Sequence, residues 1–356
     1  MKKITLLLLS LFLICHIAIA QSIDSLNSLV QKEAEIFMAS KAAVGLSLNI
    51  YIHGHSYSYN YGSISKDVQE LPTAHTIYGI ASITKTFTGL LLAKAVEENK
   101  VKLEDDIRKY LDGDYPNLEY NGQPIKLYHL ISHVSRLPMW LSENAEKPSY
   151  TRENFYYDLH QVKIDTLPGV RFQYSNAAAQ LLGYILEKVY SKSLEDLIQE
   201  KIANPLQMKE TRIVLTTGEK ERAAKGYTNA GIYNPNPYVY MQGAGGIKST
   251  TNDLAKYMIY QMNGKDSAVA LSHKESWGFD MGKGYHYSCA LNWQIFRNSQ
   301  GMHRISQDGD LANSSSVVTF CPELKTGIVV LTNSDNIDAV SKISEDILKA
   351  LEPAMY

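Results

Sequence analysis

Ser82 and Lys85 lie three positions apart in the segment Ser82-Ile83-Thr84-Lys85, at the start of a stretch with a helical pattern. Residues at i and i+3 share a helix face, so the amine of Lys85 can reach the hydroxyl of Ser82. A serine hydroxyl is a weak nucleophile until a base takes its proton, and a lysine serves as that base when burial holds it neutral. The pair predicts nucleophilic chemistry at Ser82.

Spacing alone does not identify this pair, because Ser63-Ile64-Ser65-Lys66 has the same pattern. A serine that precedes a helix is also often only an N-cap residue. The two copies differ in context. The stretch Ala81–Glu98 is apolar on most faces, which predicts a buried helix behind Ser82. The second copy follows Gly62 and has no such helix after it.

Tyr174-Ser175-Asn176 offers a phenol and an amide that can project from one short loop. A tyrosine hydroxyl can move protons when a nearby cation lowers its pKa. Tyr115-Pro116-Asn117 and Tyr227-Thr228-Asn229 share the spacing, and the chain contains 24 tyrosines. The residues by themselves therefore leave the choice among these three loops open.

The elements that must position these residues follow from hydrophobic periodicity. Alternating residues from Val44 to Tyr61 around His53-Gly54 predict a β-hairpin, preceded by an amphipathic helix from Ile23 to Ser40. Gly243–Gly246 is interpreted as a turn. Other predicted helices are Asn176–Tyr190, Leu194–Ala203, Thr251–Met262 and Ala339–Leu351, and other predicted strands are Ser288–Phe296, Ser314–Phe320 and Thr326–Thr332.

Strands at both ends with helices between them predict an α/β fold. We expect a mainly antiparallel sheet built from both chain ends, flanked by helices, with an inserted mostly helical domain. The predicted domains are residues 21–80 with 243–356 for the sheet, and 81–242 for the helical part that carries the nucleophile. With 356 residues, 45% of them hydrophobic, the chain has ample material for such a core.

Residues 1–20 have the pattern of a signal peptide. Lys2 and Lys3 precede an apolar run from Ile4 to Ile14, and Ala18-Ile19-Ala20 suits a cleavage site before Gln21. The alternative is an uncleaved membrane anchor. No later stretch approaches the ~20 apolar residues of a membrane helix, so we expect no stable membrane insertion after cleavage. The predicted protein is secreted across the inner membrane into the periplasm.

Other site chemistries have weaker support. The net charge of −2, with scattered basic residues, gives no argument for a nucleic-acid partner. His129 and His133 are four apart, but the glutamate of a His-Glu-x-x-His zinc motif is missing, so no metal or other cofactor is predicted. Cys289 and Cys321 either pair or remain buried thiols. The sequence does not indicate an oligomeric state.

Five ordered segments resemble the serine β-lactamase-like superfamily, which contains class C β-lactamases, DD-peptidases and β-lactamase-fold esterases with a serine-lysine-tyrosine site. The resemblance extends from about Val44 to Asn333. The segments that carry it are Ile80–Thr88, Leu130–Pro138, Pro168–Asn176, Asn204–Met208, and Gly245–Thr250 leading into Asp253–Ala255.

The resemblance implies that Ser82 is the acylated nucleophile, that Lys85 is its amine partner and that Tyr174 relays the proton. Asn176 would orient Lys85 and bind a substrate carbonyl. Whether Lys85 is a neutral base, or a cation that stabilises a Tyr174 phenolate, stays open. Together with the signal-peptide pattern, the resemblance implies an exported serine hydrolase that acts through an acyl-enzyme on Ser82. Its substrate would be a small-molecule or peptide ester or amide, as for an esterase, a D-amino peptidase or a β-lactamase.

The third motif departs from the family pattern of Lys-Thr-Gly or His-x-Gly, because Gln307-Asp308-Gly309 stands there. Gly309 would let substrate approach the strand, and the backbone N–H of Asp310 would join that of Ser82 in an oxyanion hole. The missing cation predicts a neutral or cationic substrate rather than a β-lactam, unless Arg136 or Arg304 replaces it. The alternative is a sensor or scaffold protein with little turnover.

Overall fold

The computed structural model describes residues 23–235 and 241–355. The predicted signal peptide, residues 1–20, lies outside the described residues. Eight strands form one antiparallel sheet: β1 (Gly45–Ile52), β2 (His55–Gly62), β7 (Trp277–Gly282), β8 (Tyr285–Cys289), β9 (Gln294–Arg297), β10 (His303–Leu311), β11 (Ser314–Cys321) and β12 (Thr326–Thr332). Their order across the sheet is β2-β1-β12-β11-β10-β9-β8-β7.

The sheet joins the two ends of the chain through the pairing of β1 with β12, in which Leu46 lies opposite Thr332. The hairpin of β1 and β2 turns at His53 and Gly54, which have φ of 47° and 100°. Positive φ at both central residues matches the right-handed twist of the two strands. Two short strand pairs complete the β structure: β3 (Tyr78–Gly79) with β6 (Lys248–Ser249), and β4 (Glu119–Tyr120) with β5 (Gln123–Pro124).

Helices cover both faces of the sheet and fill the segment between β2 and β7. They are α1 (23–38), α2 (Thr84–Glu97), α3 (Leu127–Ile131), α4 (Arg152–Leu159), α5 (Asn176–Tyr190), α6 (Leu194–Ile198), α7 (Thr217–Arg222), α8 (Gln242–Gly245), α9 (Thr251–Asn263), α10 (Ser267–Ser272) and α11 (Ile337–Leu351). This arrangement confirms the predicted fold class. The boundaries of the two predicted domains stay a prediction.

Two hydrophobic cores lie on opposite faces of the sheet. Strand β12 shows the division, because Val329 and Leu331 join the core of α2, α5 and α9 whereas Ile328 and Val330 join the core of α1 and α11. Successive side chains of a strand point to opposite faces. All seven residues of β12 are therefore buried, and its central residues, Ile328 to Leu331, are all apolar instead of alternating with polar ones.

Helix α2 runs through the larger core, and eleven of its fourteen residues are buried. Because its first three turns are apolar on nearly all sides, they offer no solvent face on which a lysine could extend to water. Lys85, at its second position, is fully buried as a result. The predicted helix Ala81–Glu98 thus exists, but its first turn, Ala81–Ile83, is a 3₁₀ turn.

The predicted strand Ser288–Phe296 is wrong, because β8 and β9 are separate strands joined by a tight turn. Ala290 N–H donates to the Trp293 carbonyl, and Asn292 has a φ of 69° that a strand does not tolerate. Gly243–Gly246, interpreted as a turn, lies largely in the short helix α8. Cys289 and Cys321 are buried free thiols.

Within residues 23–235 and 241–355, no helix combines the length and the apolar character needed to cross a bilayer.

Candidate active site

The structure brings Ser82, Lys85 and Tyr174 together. Lys85 Nζ lies 2.8 Å from Ser82 Oγ, and the Tyr174 hydroxyl donates to the same oxygen at 2.7 Å. Lys85 Nζ also lies 4.9 Å from the centre of the Tyr174 ring. Three residues that are catalytic candidates from the sequence therefore share one hydroxyl oxygen, although 92 positions separate Ser82 from Tyr174.

A sharp turn presents Ser82 at this point. Ala81, just before it, is fully buried and has a φ of 47°. A residue with a Cβ rarely adopts this left-handed conformation, and it costs of order 1–3 kcal/mol where the surroundings enforce it. Such strain is concentrated at functional sites. The turn continues into α2, which places Lys85 one turn further along the same face.

Lys85 is held in place by a backbone carbonyl rather than by a charged partner. Its amine donates to the Ala244 carbonyl oxygen at 2.7 Å. Burial lowers the pKa of Lys85 to about 7, and the Asp308 carboxylate acts in the opposite direction. Near neutral pH, a large fraction of the amine is therefore unprotonated and able to accept a proton.

Helix α8 supplies that carbonyl, a role that its sequence does not indicate. Thr88 Oγ1 donates to the Gly243 carbonyl, and Gly243 N–H donates to Gln180 Oε1. A Cβ on Gly243 would lie 3.0 Å from the Ala179 carbonyl oxygen. The absence of a side chain at Gly243 lets α8 approach α5 closely. Its run of glycines was the available signal for a close helix contact.

Tyr174 keeps its proton in the resting site. Burial raises its pKa well above the usual value, and the hydrogen bond to Ser82 only partly offsets this. The Asp308 carboxylate also raises the pKa of Tyr174. The electrostatics of the site thus favour a neutral phenol beside a partly neutral Lys85, rather than a phenolate beside a charged amine.

His133 positions the loop that carries Tyr174, a role that sequence reasoning missed. Its ring lies 4.2 Å from the Tyr174 ring, and its Nδ1 accepts the Ser175 N–H. Nε2 therefore carries the proton and donates to Asn292 Oδ1 at 2.8 Å. Burial, with the charge of Lys85, lowers the pKa of His133 to about 3, so the ring stays neutral. The segment around His133 carries part of the resemblance, and this is the signal in the sequence that points to a role at the site.

His129 also has a local partner, because its Nδ1 accepts the Lys126 N–H and completes a cap at the start of α3. Among the described residues, no group of three or more histidine, cysteine, aspartate or glutamate side chains is arranged to hold a metal ion.

Gly309 brings strand β10 against the turn that carries Ser82. A Cβ at this position would lie 2.8 Å from Ser82 N and 2.6 Å from the Ile80 carbonyl oxygen. No side chain fits in this gap, so the close approach requires glycine. Asp310, the next residue, lines the cavity at Ser82. The backbone near Ser82 and Asp310 thus borders one space.

The side chains of the third motif, Gln307-Asp308-Gly309, and of the adjacent Asp310 form hydrogen bonds with other groups of the protein. Gln307 Nε2 donates to the Asp308 carbonyl oxygen at 2.7 Å, and Asp308 Oδ1 accepts from Gln294 Nε2 at 3.1 Å. Asp310 accepts from Ser315 Oγ, and burial raises the pKa of its carboxyl to about 6. The strand therefore contributes acidic groups and an amide to the site, and no cation.

Asn176 lines the cavity at Ser82, but it does not orient Lys85 in the described structure. Its amide donates to Met139 Sδ at 3.4 Å, while the hydrogen bonds described for Lys85 go to Ser82 and Ala244. The implied orienting role of Asn176 is therefore replaced by the α8 carbonyl. The binding of a substrate carbonyl by Asn176 stays a prediction.

The two arginines considered as replacement cations lie elsewhere. Arg136 is buried and makes two hydrogen bonds to Asp165, at 2.9 and 2.8 Å. Arg304 lies over the Phe296 ring at 5.4 Å and borders a different cavity. Of the described residues, those that line the cavity of about 430 Å³ at Ser82 include Asp308 and Asp310 but no lysine or arginine.

The amino-acid sequence is similar to those of known proteins over most of its length. A family model described as Beta-lactamase matches residues 30–351. Protein flp of Staphylococcus aureus strain N315 is 30% identical over 300 residues, which are 80% of this chain and 57% of that protein. The D-alanyl-D-alanine-carboxypeptidase/endopeptidase AmpH of Escherichia coli K12 is 29% identical over 65% of this chain and 61% of its own length. The chain thus spans under two thirds of these relatives.

Solved structures with the same fold cover nearly all of the chain. A β-lactamase/D-alanine carboxypeptidase from Pseudomonas syringae has a TM-score of 0.80 and 22% identity, over 91% of this chain and 99% of that one. An octameric penicillin-binding protein homologue from Pyrococcus abyssi has a TM-score of 0.77 and 27% identity, over 93% and 77%.

Proposed function

The chain belongs to the Beta-lactamase family, and on that premise we propose that it is an exported serine hydrolase that forms an acyl-enzyme on Ser82. The observation that carries the proposal is the convergence of Lys85 Nζ and Tyr174 Oη on Ser82 Oγ, at 2.8 and 2.7 Å. A nucleophile with two proton-transferring groups in hydrogen-bond reach is the arrangement that acyl transfer requires. Export rests on the signal-peptide pattern of residues 1–20.

In the proposed reaction, neutral Lys85 takes the proton of Ser82 as its Oγ attacks the substrate carbonyl carbon. A pKa of about 7 supports this choice of base, because a large fraction of the amine is then unprotonated at neutral pH, and a general base works best with a pKa near the operating pH. The Tyr174 hydroxyl, which retains its proton, donates to the leaving ester oxygen or amide nitrogen and regains a proton from Lys85. The raised pKa of Tyr174 supports this assignment over the alternative of a Tyr174 phenolate.

The developing oxyanion would be bound by the backbone N–H groups of Ser82 and Asp310. The close approach of Gly309 to Ser82 N supports this assignment of the oxyanion hole. Fixed donors of this kind contribute about 3–4 kcal/mol each in comparable acyl transfer enzymes. Deacylation follows the same path with water: water attacks the acyl carbon and gives a proton to neutral Lys85, while Tyr174 donates its proton to the leaving Ser82 Oγ and regains one from Lys85.

The cavity supports a neutral or cationic acyl donor rather than an anionic one. Asp308 and Asp310 border it, and the two candidate arginines are engaged elsewhere. A carboxylate that enters such a site loses its hydration without a compensating charge. We therefore propose a neutral ester or amide as substrate, in preference to a β-lactam or a peptide with a terminal D-Ala carboxylate.

A sensor or scaffold protein is the second candidate, and Gln307 is the residue that favours it. Its amide is used by the neighbouring backbone carbonyl, so it offers substrate little. A protein of this kind would acylate Ser82 and release the acyl group slowly or not at all.

A parallel assay separates these candidates. The purified protein and Ser82→Ala are given a p-nitrophenyl ester, a chromogenic cephalosporin and a D-Ala-D-Ala peptide. We expect turnover of the ester that is at least 10³-fold lower in the variant, consistent with removal of a nucleophile. Faster turnover of the cephalosporin or peptide would contradict the substrate assignment. A mass increase on Ser82 without turnover would favour the sensor.

A further inference from the structure

Four aromatic side chains lead from the cavity at Ser82 to the protein surface. Ring centroids lie 5.3 Å apart for Phe172 and Trp277, 5.6 Å for Trp277 and Phe279, and 5.5 Å for Phe279 and Tyr287. Phe172 and Tyr287 line the same cavity as Ser82, whereas Phe279 is 49% exposed. These four side chains form a continuous aromatic wall from the nucleophile's cavity to solvent.

The aromatic wall is fixed to elements that build the site. Phe172 precedes Tyr174 in the same loop, and its ring lies 5.7 Å from that of His133. Trp277 Nε1 donates to the Val170 carbonyl oxygen, which ties β7 to this loop. Phe279 lies opposite Tyr287 in the pairing of β7 with β8. The wall therefore keeps a defined position relative to Ser82.

Two further apolar residues near the cavity have exposed side chains. Val170 is 64% exposed, and Met139, which also lines the cavity, is 42% exposed. An apolar surface of this kind, continuous with a catalytic cavity, gains about 25 cal/mol for each Å² that a ligand covers. Exposed apolar patches beside clefts mark ligand-binding grooves more often than chance exposure does.

The charge and shape of the surroundings decide what covers the wall. The acidic groups Asp308 and Asp310 disfavour a ligand with an anionic tail. Strand β7 is an edge strand, but its register with β8 is irregular between Asp280 and Gly282. Such an irregularity bends an edge and opposes the addition of another strand. A small uncharged apolar group fits both observations.

We propose that the aromatic wall binds an apolar group of the acyl donor, so that the enzyme prefers esters or amides with a hydrophobic chain or ring of several carbons. This inference rests on the proposed function, because it assigns the substrate class of the same site. Phe279, at the outer end, contacts only the longer chains, and Phe172 and Tyr287 contact the carbons nearest the scissile bond.

The test compares p-nitrophenyl acetate, butyrate and octanoate. Since each buried CH₂ contributes about 0.8 kcal/mol, we expect kcat/KM to rise at least about tenfold from acetate to octanoate, with partial burial of the chain. Phe279→Ala should lower the octanoate-to-acetate ratio of kcat/KM by about three- to tenfold. Tyr157→Ala is the matched control, because Tyr157 is an exposed aromatic residue on α4 that does not line this cavity. It should leave the ratio unchanged.

The outcomes separate the inference from the proposed function. Ser82-dependent hydrolysis with no dependence on chain length overturns the aromatic wall as a binding surface and leaves the hydrolase intact. An equal loss on acetate and octanoate in Phe279→Ala also overturns it, because a damaged site lowers both. Absence of Ser82-dependent hydrolysis of every ester overturns the proposed function together with the inference that rests on it.

Discussion

The environment of the Lys85 amine sets the pH dependence of acylation. Burial lowers its pKa to about 7, and only the unprotonated amine can accept the Ser82 proton. The fraction of neutral amine rises as pH rises through this pKa. We expect kcat/KM to increase tenfold per pH unit below about pH 7 and to level off above it. The pH profile of kcat/KM for a neutral ester checks this, with kcat at saturating ester measured at the same pH values.

Asp308 provides the control for that assignment. Its carboxylate raises the pKa of Lys85, so Asp308→Asn should move the acid limb of the kcat/KM profile to lower pH. Asp112→Asn removes an exposed carboxylate paired with Lys188 on the surface and should leave the limb in place. An acid limb that stays fixed in Asp308→Asn would mean that another group titrates.

At the scale of elements, the contact between β10 and the turn at Ser82 depends on Gly309. The Cβ of Gly309→Ala would lie within 2.8 Å of Ser82 N and of the Ile80 carbonyl oxygen. The strand must therefore move away from the nucleophile. A shift of about 1 Å at a catalytic group costs about 100-fold in rate, so we expect a loss of that size in kcat with the fold retained.

Gly218→Ala is the matched control, since no heavy atom lies within 4 Å of its added Cβ and its backbone suits any residue. It should keep full activity. The two variants are compared by steady-state kinetics and by circular dichroism. A Gly309→Ala protein with normal kcat would show that the close approach is not needed for catalysis.

The elements also show how far the sequence reaches. Helix α5 and strand β12 have the bounds that their patterns predict, because a local hydrophobic period determines them. Ser82 and Lys85 were found for the same reason, being one helical turn apart. The pairing of Tyr174 with Ser82 required the resemblance, because spacing alone left two other tyrosine loops equal.

Contacts over long separations account for what the sequence missed. The Ala244 carbonyl is 159 positions from Lys85, and Asn292 is 159 positions from His133. Neither residue type suggests its role, because a backbone carbonyl looks the same at every position and an asparagine is common in turns. The engagement of Arg136 by Asp165 likewise could not be read from the segment that contains Arg136.

At the scale of the whole molecule, the site depends on a sheet that forms only when strands from the N-terminal and C-terminal parts of the sequence pair with each other. Ser47, on β1, lies opposite Leu331 of β12 and shares a hydrogen bond with Tyr78, just before the turn that carries Ser82. Helices α1 and α11 cover the face of this sheet that is opposite α2. Their packing therefore supports the site from the opposite face of the sheet.

This separation predicts a variant that loses stability without losing chemistry. Ile347 on α11 is fully buried in the core shared with α1, and it does not line the cavity at Ser82. Ile347→Ala leaves a void, which costs about 2–5 kcal/mol of the free energy of unfolding. The melting temperature should fall by roughly 2–4 °C per kcal/mol, while kcat of the folded protein at 25 °C is unchanged.

Lys342→Ala is the matched control, because it introduces alanine at an exposed position of the same helix without removing a buried side chain. Lys342 is exposed and paired with Asp346, and exposed pairs contribute about 1 kcal/mol or less. Its melting temperature should therefore stay close to that of the unaltered protein. If Ile347→Ala lowered kcat as strongly as it lowered the melting temperature, the layer of α1 and α11 would be coupled to the geometry of Ser82. Both variants are measured by thermal denaturation and by ester hydrolysis. We expect Ile347→Ala to lower the melting temperature but not kcat, because the sheet lies between Ile347 and the nucleophile.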